Sequence, residues 1–455
     1  MPEALAFIDR EKSRFREELF EFLKIPSVSA SSERDKDTRK TAEWLAARLE
    51  KAGLTAEILD TPRHPVVLAE WREAGEDAPT ILVYGHYDVQ PAEPLDEWTS
   101  PPFQPEVREG RIYARGSADD KGQVFMHVAA LEALIQAGEL PVNVILLAEG
   151  EEEIGSPNLV PFVERWKERL ACDAVVISDS GMFDEGLPSL LFSLRGLAYF
   201  EIRVEAARSD LHSGAYGGAV PNPATQLARI IAGFHDEKGR IAIEGFYDDV
   251  LEWDQATRES IRGLPFDEEK FRSDVDAPAL DGEAGHSVLE RLWTRPTCEV
   301  NGLLSGYTGE GAKTVLPARA MAKVSFRLVP DQDPGRVEEL LRAHVARAAS
   351  PGVRVRIEAL HGGNPWRADP EGPLFDAAAV ALQEVFGQAP VLTGEGGSIP
   401  IVGEFERILG VRVLLVGFAL PGCNMHAPDE WLSVENFEKG TLVLARLYQE
   451  LGRVL

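Results

Sequence analysis

The chain has 455 residues, 44% of them hydrophobic and 27% charged. Those are ordinary globular proportions, with length for two domains that each have a core. A formal charge of −28 sets it against nucleic acid and anionic membranes as partners, because both repel a strongly acidic surface. Met1 to Lys12 is charged from the outset and has no apolar run of the kind a secretion signal carries. No window reaches the roughly 20 apolar residues that a membrane span needs, so a soluble, cytoplasmic protein is expected. Cys172, Cys298 and Cys423 are scattered and lack CxxC spacing; neither a disulfide framework nor a thiolate zinc site is expected.

Two amphipathic helices open the chain, over roughly Pro2 to Leu23 and Asp37 to Ala52. Leu5, Ile8, Phe15, Leu19 and Phe22 share one face of the first. Short apolar runs that end in polar residues follow. Thr80–Tyr84 leads into Gly85-His86-Tyr87-Asp88, Asn143–Leu147 into Glu149-Gly150-Glu151-Glu152-Glu153, and Ala174–Ile177 into Ser178-Asp179-Ser180. Near the far end, Val411–Val416 leads to the loop that holds His426. Continuous β-branched runs of this kind read as central, largely parallel strands covered on both faces by helices.

The middle of the chain reads differently. Alternating runs at Tyr199–Val204, Ala322–Leu328 and Val353–Ile357 are interleaved with helical stretches at Ala224–Phe234 and Gly335–Ala348. The pattern predicts a smaller α/β sandwich inserted into a larger α/β domain. The expected division is 1–191 and 362–455 for the larger domain and 192–361 for the insertion. An acidic stretch from Glu244 to Gly282 is read as irregular and carries no motif.

Ligands gather at the carboxyl ends of parallel strands, and there the chemistry-bearing residues lie. His86 and Asp88 project to one side of a strand end, although an HxD alone is a weak signal. Asp119 and Asp120 precede a helix expected from about Gln123; they serve either as cap and dipole partner or as a carboxylate set between cations. Four carboxylates within Glu149–Glu153 form either a solvated acidic loop or a site that needs positive charge. Asp179 ends the next strand, and His426 sits in a loop with no structural need for imidazole. Two histidines with aspartates and glutamates at strand ends suit Zn²⁺, Mn²⁺ or Co²⁺. A carboxylate bridging two such ions makes a hydrolytic centre, with a spare glutamate as general base.

The motifs GHYDV (85–89), ARGSADDKG (114–122), EGEEEIGS (149–156), ISDS (177–180), DLHSGAYGG (210–218), KTVLPARA (313–320), SFRLVP (325–330), HGGNPW (361–366), GEGGSIP (394–400) and NMHAP (424–428) occur in this order. As a set they resemble the M20 metallopeptidases, in particular their cytosolic dipeptidase and carnosinase branch. The resemblance implies one metal site on His86 and Asp179, another on Glu153 and His426, and Asp119 bridging the two. It implies Glu152 as the base that deprotonates a water held between the ions, and Asp88 as the partner that fixes the His86 ring. His212 would stabilise the tetrahedral oxyanion in the active site of a partner subunit, reached also by Thr314. Arg327 and Ser398 would hold the substrate carboxylate, with His361 lining that pocket, and the peptide bond after Asp119 would be cis. His64, His127, His235, His286 and His344 belong to no motif and are read as structural.

The implied activity is hydrolysis of dipeptides by a homodimer formed through the inserted domain, with two divalent ions per subunit, zinc first. An N-acyl amino acid deacylase or desuccinylase shares the same metal motifs. A non-catalytic metal-binding relative would have lost Glu152 or a ligand, and none is missing here.

Overall fold

The computed structural model describes residues 3–397 and 399–455. The expected helix start at Pro2, and Ser398, lie outside the described residues. The chain forms two compact units, one of Met1–Phe192, Ala368–Thr393 and Ile401–Leu455, the other of Ser193–Arg367 with Gly394–Pro400. The second unit thus takes in the 394–400 loop, which sequence reading left with the larger domain. Its backbone explains this, since Arg195 N donates to Glu395 O at 3.2 Å.

The first unit has the expected α/β architecture. Strands Asn143–Glu149, Thr80–His86, Ala174–Ile177 and Arg412–Leu415 lie side by side in that order, each parallel to its neighbour. Antiparallel strands close the edges, Val66–Trp71 against 143–149 and Ser189–Leu194 against 412–415. The 143–149 and 174–177 strands are buried along their whole length, as expected of strands covered on both faces. Register then decides where the strand ends fall. His86 is level with Glu149, and Tyr84 is level with Ile177, which brings Asp179 alongside His86.

Helix Lys121–Ala137 is apolar almost all round, with every residue from Lys121 to Leu134 buried. A helix without a polar face belongs in an interior, and this one packs between Glu3–Leu23 and Val434–Val454. It ends where Gly138 takes a left-handed conformation at φ +63. At its start, a Cβ on Gly122 would stand 1.9 Å from the Ser117 carbonyl oxygen, so the turn that carries Asp119 closes only on glycine.

The second unit has a four-stranded antiparallel sheet in the order Thr297–Ser305, Arg319–Leu328, Gly196–Glu205, Arg354–Gly363. Helices Pro223–Ala232 and Pro334–Ala348 cover one face around Phe200, Phe234, Phe326 and Leu341. The strand at 297–305 was not anticipated. Its alternation is broken by a register shift between Val300 and Gly302, and half of its side chains are exposed. The 244–282 stretch is also more ordered than expected. It holds short helices Gln255–Arg262 and Glu268–Asp274, capped by the Asp254 and Asp267 side chains. Only Ile261 in the pair is buried, so no apolar period marked them.

His127 is structural, as read. Its two ring nitrogens lie 2.7 Å from Tyr448 Oη and 2.9 Å from Ser178 Oγ, and burial lowers its pKa to about 3. Between that value and an unfolded value of about 6.5, only the unfolded chain binds the proton, so stability falls as pH falls by about 1.4 kcal/mol per unit. In metal-free protein, the stability gap between wild type and His127→Gln is expected to shrink by about that much per unit from pH 6.5 to 4.5 in denaturant titrations. A gap independent of pH would show that His127 is not held neutral.

Candidate metal centre

Several segments of the first unit deliver their groups to the same place. The 80–86 strand ends on His86, which is fully buried. The loop before helix 121–137 presents Asp119, and the peptide bond from Asp119 to Asp120 is cis. The turn Glu152–Ile154 follows the 143–149 strand, and Asp179 follows the 174–177 strand. His426 comes from the loop after Arg412–Leu415, with its backbone in the left-handed region at φ +61.

Asp119 stands at the middle. Its Oδ1 lies 3.0 Å from His86 Nε2 and its Oδ2 lies 2.9 Å from His426 Nε2. Around it two clusters form, His86 with Asp119 and Asp179, and Asp119 with Glu153 and His426, each with potential ligand atoms within 4.8 Å of one another. Asp179 Oδ1 is 3.9 Å from His86 Nε2, and Glu153 Oε2 is 3.4 Å from His426 Nε2.

Asp88 holds this assembly from behind. Its carboxylate oxygens accept from the backbone N–H groups of Glu152 and Glu153 at 3.2 and 3.1 Å. His86 Nδ1 is 3.1 Å from the Asp88 carbonyl and 3.4 Å from Asp88 Oδ1. Among the described residues only acceptors face that nitrogen, so it can keep its proton while Nε2, which faces Asp119, is the atom that would bind an ion.

The electrostatics show what the residues lack. Burial, followed by the charges of Asp179, Asp119 and Asp88, drives Glu152 well above the usual carboxylate range, against the pull of His86. Burial pushes Glu153 up to about 10, with Asp119 adding to it, and pushes Asp179 up to about 6. Burial also opposes charge on His86, but its hydrogen bonds to Asp119 and Asp88 outweigh that and raise it. Five acidic side chains thus share two imidazoles. Burial opposes charge on Asp119, but His426 and His86 outweigh it and hold Asp119 below the usual carboxylate range, while Glu152 and Glu153 are pushed towards the protonated form for want of further positive charge. A donor set of imidazole and carboxylate, short of cations, fits divalent ions of the zinc class.

Two neighbours, Gln90 and Glu430, were not found by sequence reading, and Asp120 adds a contact of its own. Gln90 Nε2 donates to Glu153 Oε2 at 2.8 Å. Asp120 Oδ2 accepts from His86 N at 3.3 Å. Glu430, buried in the loop that carries His426, accepts from the backbone of the Asp119 loop. Asp120 was read from the sequence beside Asp119, and nothing local marks Gln90 or Glu430.

The remaining expected residues lie in the second unit. His212, exposed, ends the two-residue strand Leu211–His212, which pairs with Val315–Leu316. Ser213 N donates to Thr314 O at 3.1 Å, so the structure brings His212 and Thr314 together. His212 Nδ1 accepts from Gly214 N and Ala215 N at 3.0 and 3.2 Å, which places the ring proton on Nε2 as an outward donor. Arg327 is opposite Leu197 in the sheet, and His361 falls in the irregular stretch opposite Ala198 and Phe200, with its ring edge-on to Tyr199 at 5.0 Å. Arg195 joins them from just before the 196–205 strand. It is buried, donates from Nε to Gly396 O at 3.2 Å, and is lowered to about 10 by burial and by the Arg327 charge.

Residues 82–450 match the family model described as peptidase family M20/M25/M40. The Cys-Gly metallodipeptidase of Schizosaccharomyces pombe is 32% identical over 98% of this chain and 97% of its own. The human Beta-Ala-His dipeptidase is 30% identical over 97% of this chain and 86% of its own. The solved structure of an M20 family metallo-carboxypeptidase from Sulfolobus solfataricus superposes with a TM-score of 0.88 at 36% identity, covering 96% of this chain and 99% of that one. With the family model spanning most of the chain, and relatives at this identity matched almost end to end, the protein belongs to peptidase family M20/M25/M40.

Proposed function

We propose that this peptidase is a dipeptidase with two divalent ions, Zn²⁺ first and Mn²⁺ or Co²⁺ as alternatives. One ion is held by His86 and Asp179, the other by Glu153 and His426, and Asp119 is shared. The observation that carries this reading is the Asp119 carboxylate, with an imidazole nitrogen about 3 Å from each of its oxygens. When bound, such ions polarise a scissile carbonyl and acidify water.

The chain's own groups supply the rest. Glu152 takes a proton from the attacking water and returns it to the leaving amine nitrogen. No side-chain hydrogen bond among the described residues ties its carboxylate down, and its crowded acidic surroundings favour a proton carrier. Asp88 keeps the His86 ring oriented. Arg327 supplies a planar fork for the substrate carboxylate, a role shared in this reading with Ser398, and His361 lines the pocket. Relatives named for Cys-Gly and Beta-Ala-His dipeptides support substrates of that size. The likeness to a metallo-carboxypeptidase makes removal of a C-terminal residue from longer peptides the second reading, and an N-acyl amino acid deacylase is the third. Three free cysteines support a reducing cytoplasm as the setting, and no described helix is long and apolar enough to cross a membrane.

Wild type reloaded with Zn²⁺ is expected to cleave free-amine dipeptides, and Glu152→Gln is expected to lose at least about 100-fold in kcat. Faster turnover of tripeptides, or cleavage of N-acyl amino acids alone, would move the assignment to the second or third reading.

His212, whose Nε2–H faces outward, donates to the oxyanion of a second copy's substrate in this account, with Thr314 beside it. Strand 297–305 is the edge of its sheet and exposes Val300, Leu303 at 62% and Leu304 at 59%. An exposed apolar edge of this kind is a template for another chain, which supports a homodimer through this unit. Mixing refolded His212→Ala and Glu152→Ala subunits, each inactive alone, is expected to restore about a quarter of wild-type activity, since half of the dimers are mixed and one of their two sites is intact. No recovery in verified mixed dimers would place His212 in its own subunit's chemistry or outside the reaction.

A further inference from the structure

We infer that Glu430 and Arg115 form a positioning node that sets the affinity of both metal clusters while touching neither ion. The inference rests on the two-metal reading and adds to it two residues to which the motif set assigned no role.

Glu430 is fully buried, four residues beyond His426. Its Oε1 accepts from Ala118 N at 2.9 Å and from Asp119 N at 3.1 Å. Its Oε2 accepts from Gly116 N at 2.9 Å and from Arg115 Nη1 at 2.8 Å. The Glu430 backbone carbonyl accepts from Ala114 N at 3.1 Å. Five bonds therefore tie a residue of the His426 loop to the stretch that ends on the shared ligand itself. Arg115, 1% exposed, extends the tie, since its Nη2 donates to Pro91 O at 3.2 Å and to Ala427 O at 3.3 Å. Pro91 lies three residues past Asp88, and Ala427 follows His426 directly.

One ion pair thus joins three loops, those of His86 and Asp88, of Asp119, and of His426. The His426 loop lies more than 300 residues along the chain from the other two. Ligand distances for a bound ion tolerate only about 0.2 Å, so a shift of the 116–119 backbone is felt wherever Asp119 is a ligand. Because Asp119 belongs to both clusters, loosening the node weakens both ions together. An ordinary buried ion pair alters stability alone. That difference separates a positioning role from a merely structural one.

The test is a Zn²⁺ titration of metal-stripped, full-length protein against a chromogenic chelator, with the fold checked by circular dichroism. Glu430→Gln keeps the shape but turns an NH₂ donor towards backbone N–H donors. The control is Glu132→Gln, which breaks a buried pairing with Arg48 and Arg14 on the helices behind the sheet. Glu430→Gln is expected to lose about 10- to 100-fold in affinity for both ions, with the control unchanged. Should Glu430→Gln fail to fold, Arg115→Lys replaces it, keeping the pair but losing the fork to Pro91 and Ala427; its expected loss is several-fold for both ions. Wild-type affinity in the variant that folds, loss at one ion only, or an equal loss in the control each overturns the inference. A wild type that binds no Zn²⁺ at this cluster overturns the two-metal reading itself.

Discussion

The first unit is organised around one carboxylate placed between two imidazoles. Asp119 sits about 3 Å from both His86 and His426, in a buried place already crowded by Glu152, Glu153 and Asp179. Such a concentration of acid is unfavourable without compensating charge, and a fold that maintains it must over-determine the backbone around it. This one does so with few parts. Asp88 accepts the backbone N–H groups of both glutamates, Gln90 braces Glu153, and Glu430 accepts the N–H groups leading up to Asp119.

The sheet supplies the coarse placement and hydrogen bonds the fine. Strands 80–86 and 143–149 end level and strands 174–177 and 412–415 stop two residues short of them, so His86, Glu149 and Asp179 arrive at one rim without special design. Position at the carboxyl edge is generic to such sheets. What is particular to this chain is the turn closed by Gly122 and the left-handed backbone at His426. They swing Asp119 and His426 over that rim from opposite sides in sequence.

This division explains what the sequence made legible. Apolar runs with polar ends mark buried parallel strands, so the central sheet and the neighbourhood of His86, Glu152, Glu153 and Asp179 could be read directly. Asp119 and His426 were also singled out from the residues alone, and the motif set added the family and with it the shared role of Asp119 and the pairing of His426 with Glu153. The fourth strand of the smaller sheet was hidden because its bulge at Val300–Gly302 and its exposed face blur the alternation. The short helices at 255–262 and 268–274 were hidden because capping aspartates, rather than apolar periodicity, define them. Glu430, Gln90 and Arg195 were missed for a different reason. Their roles depend on partners far away in sequence, and a buried glutamate in an acidic chain looks like any of its surface neighbours.

The sharing of Asp119 is the central claim, and counting ions tests it most directly. Metal-stripped protein would be reloaded with Zn²⁺, desalted and analysed for bound metal, comparing wild type with Asp119→Ala, Asp179→Ala and Glu153→Ala. The account predicts two ions per chain in wild type, a single tightly held ion in each of the Asp179 and Glu153 variants, and the loss of both in Asp119→Ala. An Asp119→Ala protein that keeps two ions, or that loses only one, would contradict it.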